Sequence, residues 1–120
     1  MSKLFAVAAT GGSLALFLLL NGCAVQTHYA WGNYEQLVYD MYQSPGKSPP
    51  EREIEQMESD LQIARSQNKP LPPGFHAHLG YLYYQIGKAD AARQEFETEK
   101  AQFPESAVFM NRLLASMQRK

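Results

Sequence analysis

The side chains able to carry chemistry are few. The chain has three histidines, His28, His76 and His78, and a single cysteine, Cys23. His76 and His78 stand two apart, which on a helix points them about 200° from each other. They cannot share a metal ion as an i, i+4 pair can, and no metal site is expected. Ser44, Ser48, Ser59, Ser66, Ser106 and Ser116 lie in no nucleophile-elbow or Ser-x-x-Lys context. Glu51, Glu53, Glu55, Glu58 and Asp60 crowd one segment. They read as a solvated helix face, favoured by negative charge near a helix start. No glycine-rich phosphate loop is present, and no cofactor is expected. Taken together these residues describe a protein that is not an enzyme. Cys23 is the exception, a thiol placed where it can become an acyl acceptor.

The residues around Cys23 explain that placement. Met1-Ser2-Lys3 gives a basic start, Leu4 to Leu20 an apolar run, and Leu20-Asn21-Gly22-Cys23 a small-residue approach to the thiol. These are the parts of a secretory signal, and Gly11, Gly12 and Ser13 make the run a poor permanent anchor. Leu20-Asn21-Gly22-Cys23 resembles the lipobox of bacterial lipoproteins, where a cysteine takes a diacylglyceryl group and a peptidase cuts before it. That resemblance implies a cleaved signal peptide over residues 1–22, lipidation of Cys23, and anchoring that several acyl chains make effectively permanent. Ala24 follows the cysteine, where Asp tends to retain a lipoprotein in the inner membrane. The expected location is therefore the periplasmic face of the outer membrane. With its only cysteine lipidated, the mature chain has no disulfide.

Residues 23–32 are expected to form a lipidated tether and residues 33–120 a single domain, near the small end of what folds alone. The formal net charge of −1 and pI near 6.3 give no basic excess for nucleic acid. Seven tyrosines suggest contact surface as much as core.

Apolar spacing predicts five helices and no strand, an all-α fold of antiparallel helical hairpins. The first begins at Asn33, with Gln36 as capping-box partner, and carries Tyr34, Leu37, Val38, Met41 and Tyr42 on one face. After the turn Ser44-Pro45-Gly46-Lys47, Ser48 is placed to cap a second helix from Pro49, with Glu51 completing the box. Ile54, Met57, Leu61 and Ala64 form its stripe, and the prolines at 70, 72 and 73 end it near Asn68. Phe75 to Ile86 marks the third helix, closed by Gly87. Ala89 to Phe103 marks the fourth, closed by Pro104, and Phe109 to Met117 the fifth.

Residues 73–106 resemble one tetratricopeptide repeat of 34 residues. With Pro73 as the first place, Leu79, Gly80, Tyr83, Ala92, Phe96 and Pro104 fall at places 7, 8, 11, 20, 24 and 32. Gly80 and Ala92 are small where the helices of such a hairpin cross; Leu79, Tyr83 and Phe96 fill the space between. His76 at place 4 and Glu99 at place 27 depart from the pattern. Residues 33–43 and 49–68 could be a degenerate copy, and the 33–43 and 109–117 helices are expected as caps. The resemblance implies a concave surface bearing Gly74, Ala77, Tyr81, Tyr84 and Gln85. The competing reading packs Tyr81 and Tyr84 beneath the 33–43 helix.

A second resemblance spans the chain. Tyr29-x-Trp31-Gly32-x-Tyr34-Glu35, then Leu37-Val38-Tyr39, Tyr42 and Pro45-Gly46-Lys47, is similar to the opening of a family of small proteobacterial lipoproteins that carries only a domain-of-unknown-function label. Its members are often encoded beside a CsgG-like (curli-secretion-channel-like) lipoprotein. This implies envelope proteins as partners, a CsgG-like lipoprotein among them. The expected binding residues are Tyr81, Tyr84, Gln85 and Ala77, joined by Trp31 and Tyr34. Two functions are expected: a protein-binding adaptor in an envelope assembly or secretion complex, or a structural subunit of a multi-lipoprotein complex with no separate ligand groove. A peptidoglycan- or small-ligand-binding accessory is a weaker third.

Overall fold

The computed structural model describes residues 27–119. The signal segment and Cys23 lie outside the described residues. The elements are α1 (Tyr34–Gln43), α2 (Pro50–Ser66), α3 (Phe75–Gln85), α4 (Ala89–Gln102), a 3-10 turn (Pro104–Ser106) and α5 (Ala107–Gln118). The fold is all-α, as the spacing predicts, with no strand among the described residues. The last helix starts at Ala107, two residues before the expected Phe109, because the turn after Pro104 leads directly into it.

The ends of α2 and α3 are closed by the same device. Asn68 (φ 51°) and Gly87 (φ 80°) take the left-handed conformation. The following N–H groups, of Lys69 and Lys88, reach back to the carbonyls of Ala64 and Tyr83 at 3.0 and 2.9 Å. These are Schellman closures, and they satisfy carbonyls that a helix end otherwise leaves unpaired. Both expected capping boxes are absent. Asn33 spends its side chain on Asp60 and Gln36 bonds Asp40 instead. At α2 the cap position falls on Pro49 and makes no side-chain bond, while its carbonyl accepts from Arg52 and Glu53. Pro50, having no N–H to satisfy, suits the first turn.

Helix α3 is the centre of the molecule because it is apolar on more than one face. One side carries Phe75, Leu79 and Leu82 into a core with Leu37, Ile54, Met57, Ala64 and Leu71. The other meets α4 and α5, where Ala92, Phe96, Met110 and Leu114 form a second core with Ala77 and Tyr84 packed against it. Tyr83 touches both. Phe75 and Met57 are completely buried, each such side chain stabilising the fold by about 1.5–3 kcal/mol. The α3–α4 crossing is close at Gly80, where a Cβ would lie 2.7 Å from Cε1 of Phe96 and 3.1 Å from the carbonyl oxygen of Ala92. That is the small-residue crossing the repeat pattern anticipates.

The expected tether is partly docked. Ala30 donates its N–H to the carbonyl of Pro70 at 2.8 Å, and Trp31 stacks on Tyr34 with centroids 6.3 Å apart.

Candidate functional site: the cavity beside the first turn

Two carboxylates are buried that the sequence places in solvent or outside the repeat pattern, and the first of them, Asp60, holds the segment Trp31 to Tyr34 through Asn33. Asp60 is buried, contrary to the expected solvated face. Its oxygens accept from the Asn33 N–H at 2.7 Å and from Asn33 Nδ2 at 3.1 Å. Gly32 makes this possible: its φ is +49°, and a Cβ there would overlap the Asp60 carboxylate. The signal for Asp60 was present, since Met57, Asp60 and Ala64 share the spacing of the buried stripe. Among the other acids of that segment, Glu53 is half-buried, and Glu58 accepts a short hydrogen bond from the Tyr83 hydroxyl. Burial and that bond push the Tyr83 hydroxyl above the usual tyrosine range.

Glu99 is the second carboxylate. It is only 2% exposed, and Oε1 accepts the N–H of Gly74 at 2.7 Å, at the start of α3. A negative charge at a helix N-terminus is favourable. Gly74 (φ +91°) leaves room for the Tyr34 hydroxyl, which a Cβ would strike. Burial raises the Tyr34 pKa, and the charge of Glu99 adds to the effect. The departure at place 27 is therefore an anchoring contact between α4 and the start of α3.

From Asn33 onward, away from the two carboxylates, lies a cavity of about 490 Å³, within the range of ligand sites. One wall is α1 (Leu37, Asp40, Met41) and another the turn Pro45-Gly46-Lys47. The first turn of α2 and the end of α3, with Tyr81 and Gln85, complete it. The turn closes through the Lys47 N–H and the Ser44 carbonyl at 3.1 Å, with Gly46 at φ +79°. Charge is mixed: Lys47, Arg52, Asp40 and Glu53 all line the cavity. Burial raises the Glu53 pKa, and Asp40 raises it further.

The proposed binding residues do not form one surface. Tyr81 is 44% exposed and lines this cavity with Gln85. Tyr84 and Ala77 turn to the second core, because these two, seven apart, share one face of the helix while Tyr81 and Gln85, four apart, share the face beside it. Neither ring arrangement expected from sequence holds for both tyrosines. Trp31 and Tyr34 pack at the other side of α1's start, Tyr34 against Phe75 and His78 with centroids 5.7 and 6.1 Å apart.

The histidines separate as their spacing requires. His76 Nδ1 lies 2.5 Å from Glu95 Oε2, while His78 Nε2 lies 3.7 Å from Glu53 Oε2, beyond hydrogen-bond reach. Among the described residues no group of three or more His, Cys, Asp or Glu is arranged to hold a metal. Burial lowers the His78 pKa, so the ring is neutral at pH 7. The unfolded chain, with histidine near 6.5, then takes up a proton before the folded one. Stability is complete above about pH 6.5 and falls as pH drops below it. Glu53, with its pKa raised, acts in the opposite sense in a more acidic window. Melting curves between pH 7.5 and 5.5 should show the midpoint dropping by a few degrees, and His78→Leu should flatten that slope. An equal slope in the variant would remove His78 from the account.

The class is thus a small helical-hairpin protein in which α3 is shared by two cores and an aromatic opening segment is pinned by the buried carboxylate of Asp60. The chain belongs to the family described as a domain of unknown function, DUF4810, whose model matches residues 28–113. No curated protein and no solved structure matches it.

Proposed function

We propose that this chain is a lipoprotein, anchored through Cys23 to the periplasmic face of the outer membrane, that binds a protein partner as an adaptor in an envelope assembly. The observation that carries the adaptor reading is the cavity beside the Pro45-Gly46-Lys47 turn, where exposed Tyr81 meets a mixed-charge rim. Tyr39 and Tyr42 are also exposed, on the face of α1 turned away from the cavity. Tyrosine suits such a surface because it joins a large apolar body to a hydroxyl. The family resemblance adds a CsgG-like lipoprotein as the first partner to try. The reading includes no reaction.

The test is crosslinking in intact envelopes followed by purification. Tyr81→Ala with Gln85→Ala should lower recovery of the crosslinked partner by at least about tenfold, the weight of a hot-spot side chain. Stability should move by no more than about 0.5 kcal/mol, as for other surface changes. Unchanged recovery would reject the cavity as the binding site.

The subunit reading has its own support. Val108 and Phe109 on α5 are 68% and 59% exposed, an apolar pair that a neighbouring subunit could cover. Phe109→Asp would then dissolve a stoichiometric complex that the Tyr81 variant leaves intact.

A further inference from the structure

A second cavity, of about 580 Å³, lies at the opposite end of α2 and is lined by His28, Arg65, Lys69 and Glu95 among others. Its cationic side chains are Arg65, exposed in the last turn of α2, and Lys69 just after it. The carboxylate in the same lining, Glu95, is engaged by His76 at 2.5 Å. The rim is therefore biased toward positive charge, although the chain as a whole carries −1.

The position of this rim is tied to the start of the domain. His28 lines it, and Ala30 is bonded to Pro70, the residue after Lys69. The chain from Cys23 to His28 reaches at most about 18 Å when fully extended. Helix α2 fixes the other end: from Arg65 back to Arg52 is about 20 Å at 1.5 Å per residue, and Arg52 lines the first cavity.

We infer that the Arg65–Lys69 corner rests on anionic phospholipid headgroups, so that the domain has a fixed orientation with the Tyr81 cavity on its membrane-distal side. This rests on the reading of Cys23 as the lipid anchor. A short docked tether holds the corner within reach of the bilayer. The arginine fork and the lysine ammonium match phosphate oxygens. Basic residues are held at an anionic surface only within about a Debye length, roughly 8 Å at physiological salt. A tether whose full extension is only about twice that lets the corner come within this range.

Amine footprinting tests this on the chain isolated from membranes and reconstituted into vesicles. Lys69 and Lys47 serve as the reporters, read by mass spectrometry after acetylation. In vesicles of phosphatidylethanolamine and phosphatidylglycerol, acetylation of Lys69 should slow about fivefold relative to phosphatidylcholine vesicles, the weight of one basic residue at such a surface. Lys47 should label equally in both. Arg65→Glu should remove the protection without releasing the protein. Equal labelling of Lys69 in the two vesicles, or protection of Lys47 in its place, overturns the proposal. The mass of the N-terminal peptide reports separately whether Cys23 carries acyl chains. If it is bare, the anchor reading fails. The same footprint on chain coupled through its Cys23 thiol to a maleimide phospholipid then decides the surface alone.

Discussion

Gly80→Leu should lower the melting midpoint by about 10 °C, a net loss of about 2 kcal/mol in a domain of this size. The added side chain starts against Cε1 and Cδ1 of Phe96, at 2.7 and 2.8 Å from the Cβ position, with the Ala92 carbonyl oxygen behind at 3.1 Å. Phe96 is 2% exposed and has nowhere to move. Overpacking costs about 1–3 kcal/mol, here the upper end because the Phe96 ring and a backbone carbonyl both stand in the way. That leaves about 2 kcal/mol after the gain of about 1 kcal/mol from replacing glycine inside a helix. Gly87→Ala is the comparison. At that position nothing lies within 4 Å of a Cβ, and φ is +80°. The change there meets only the left-handed backbone penalty, about 1–2 kcal/mol. If Gly80→Leu melts at or above the parent, α3 and α4 do not cross as described.

Cys23→Ser should abolish incorporation of a palmitate analogue and leave the protein either uncleaved or released from the outer membrane. Serine keeps the size of the side chain but lacks the thiolate that attacks the diacylglyceryl donor. The effect is all-or-none because the chain has no second cysteine. Among the described residues no helix is long and apolar enough to cross a membrane, so none of them offers a spanning segment in its place. Labelling that persists in the variant would end the lipoprotein reading, and with it the proposed location. The footprint at Lys69 would then describe a surface without its anchor.

Sequence reading placed the helices because its signals are local. Prolines at 70, 72, 73 and 104 stop helices by lacking an N–H, and Gly87 closes one by accepting a positive φ. Gly80 with Ala92 was legible for a related reason: two small residues at repeat spacing leave a gap that one packing fills. The carboxylates were another matter. Asp60 occupies the buried stripe of α2, yet a carboxylate by itself favours solvent. What reversed it was a donor pair from Asn33, distant in sequence. Glu99 was noticed as a mismatch, but its partner, the Gly74 N–H, belongs to another helix.

By itself the sequence determined the all-α class, the proline and glycine stops of the helices and the close crossing at Gly80. Each depends on a residue and neighbours within a turn or a motif. Only the tertiary structure decided that Tyr81 lines a cavity while Tyr84 joins a core, and that the Trp31 to Tyr34 segment is docked rather than loose. Tyr81 and Tyr84 are chemically the same and lie three apart, so no local rule separates them. Their fates differ because α3 is covered on one side by α1 and α2 and on the other by α4 and α5. Which neighbour a side chain meets is a property of the assembled helices.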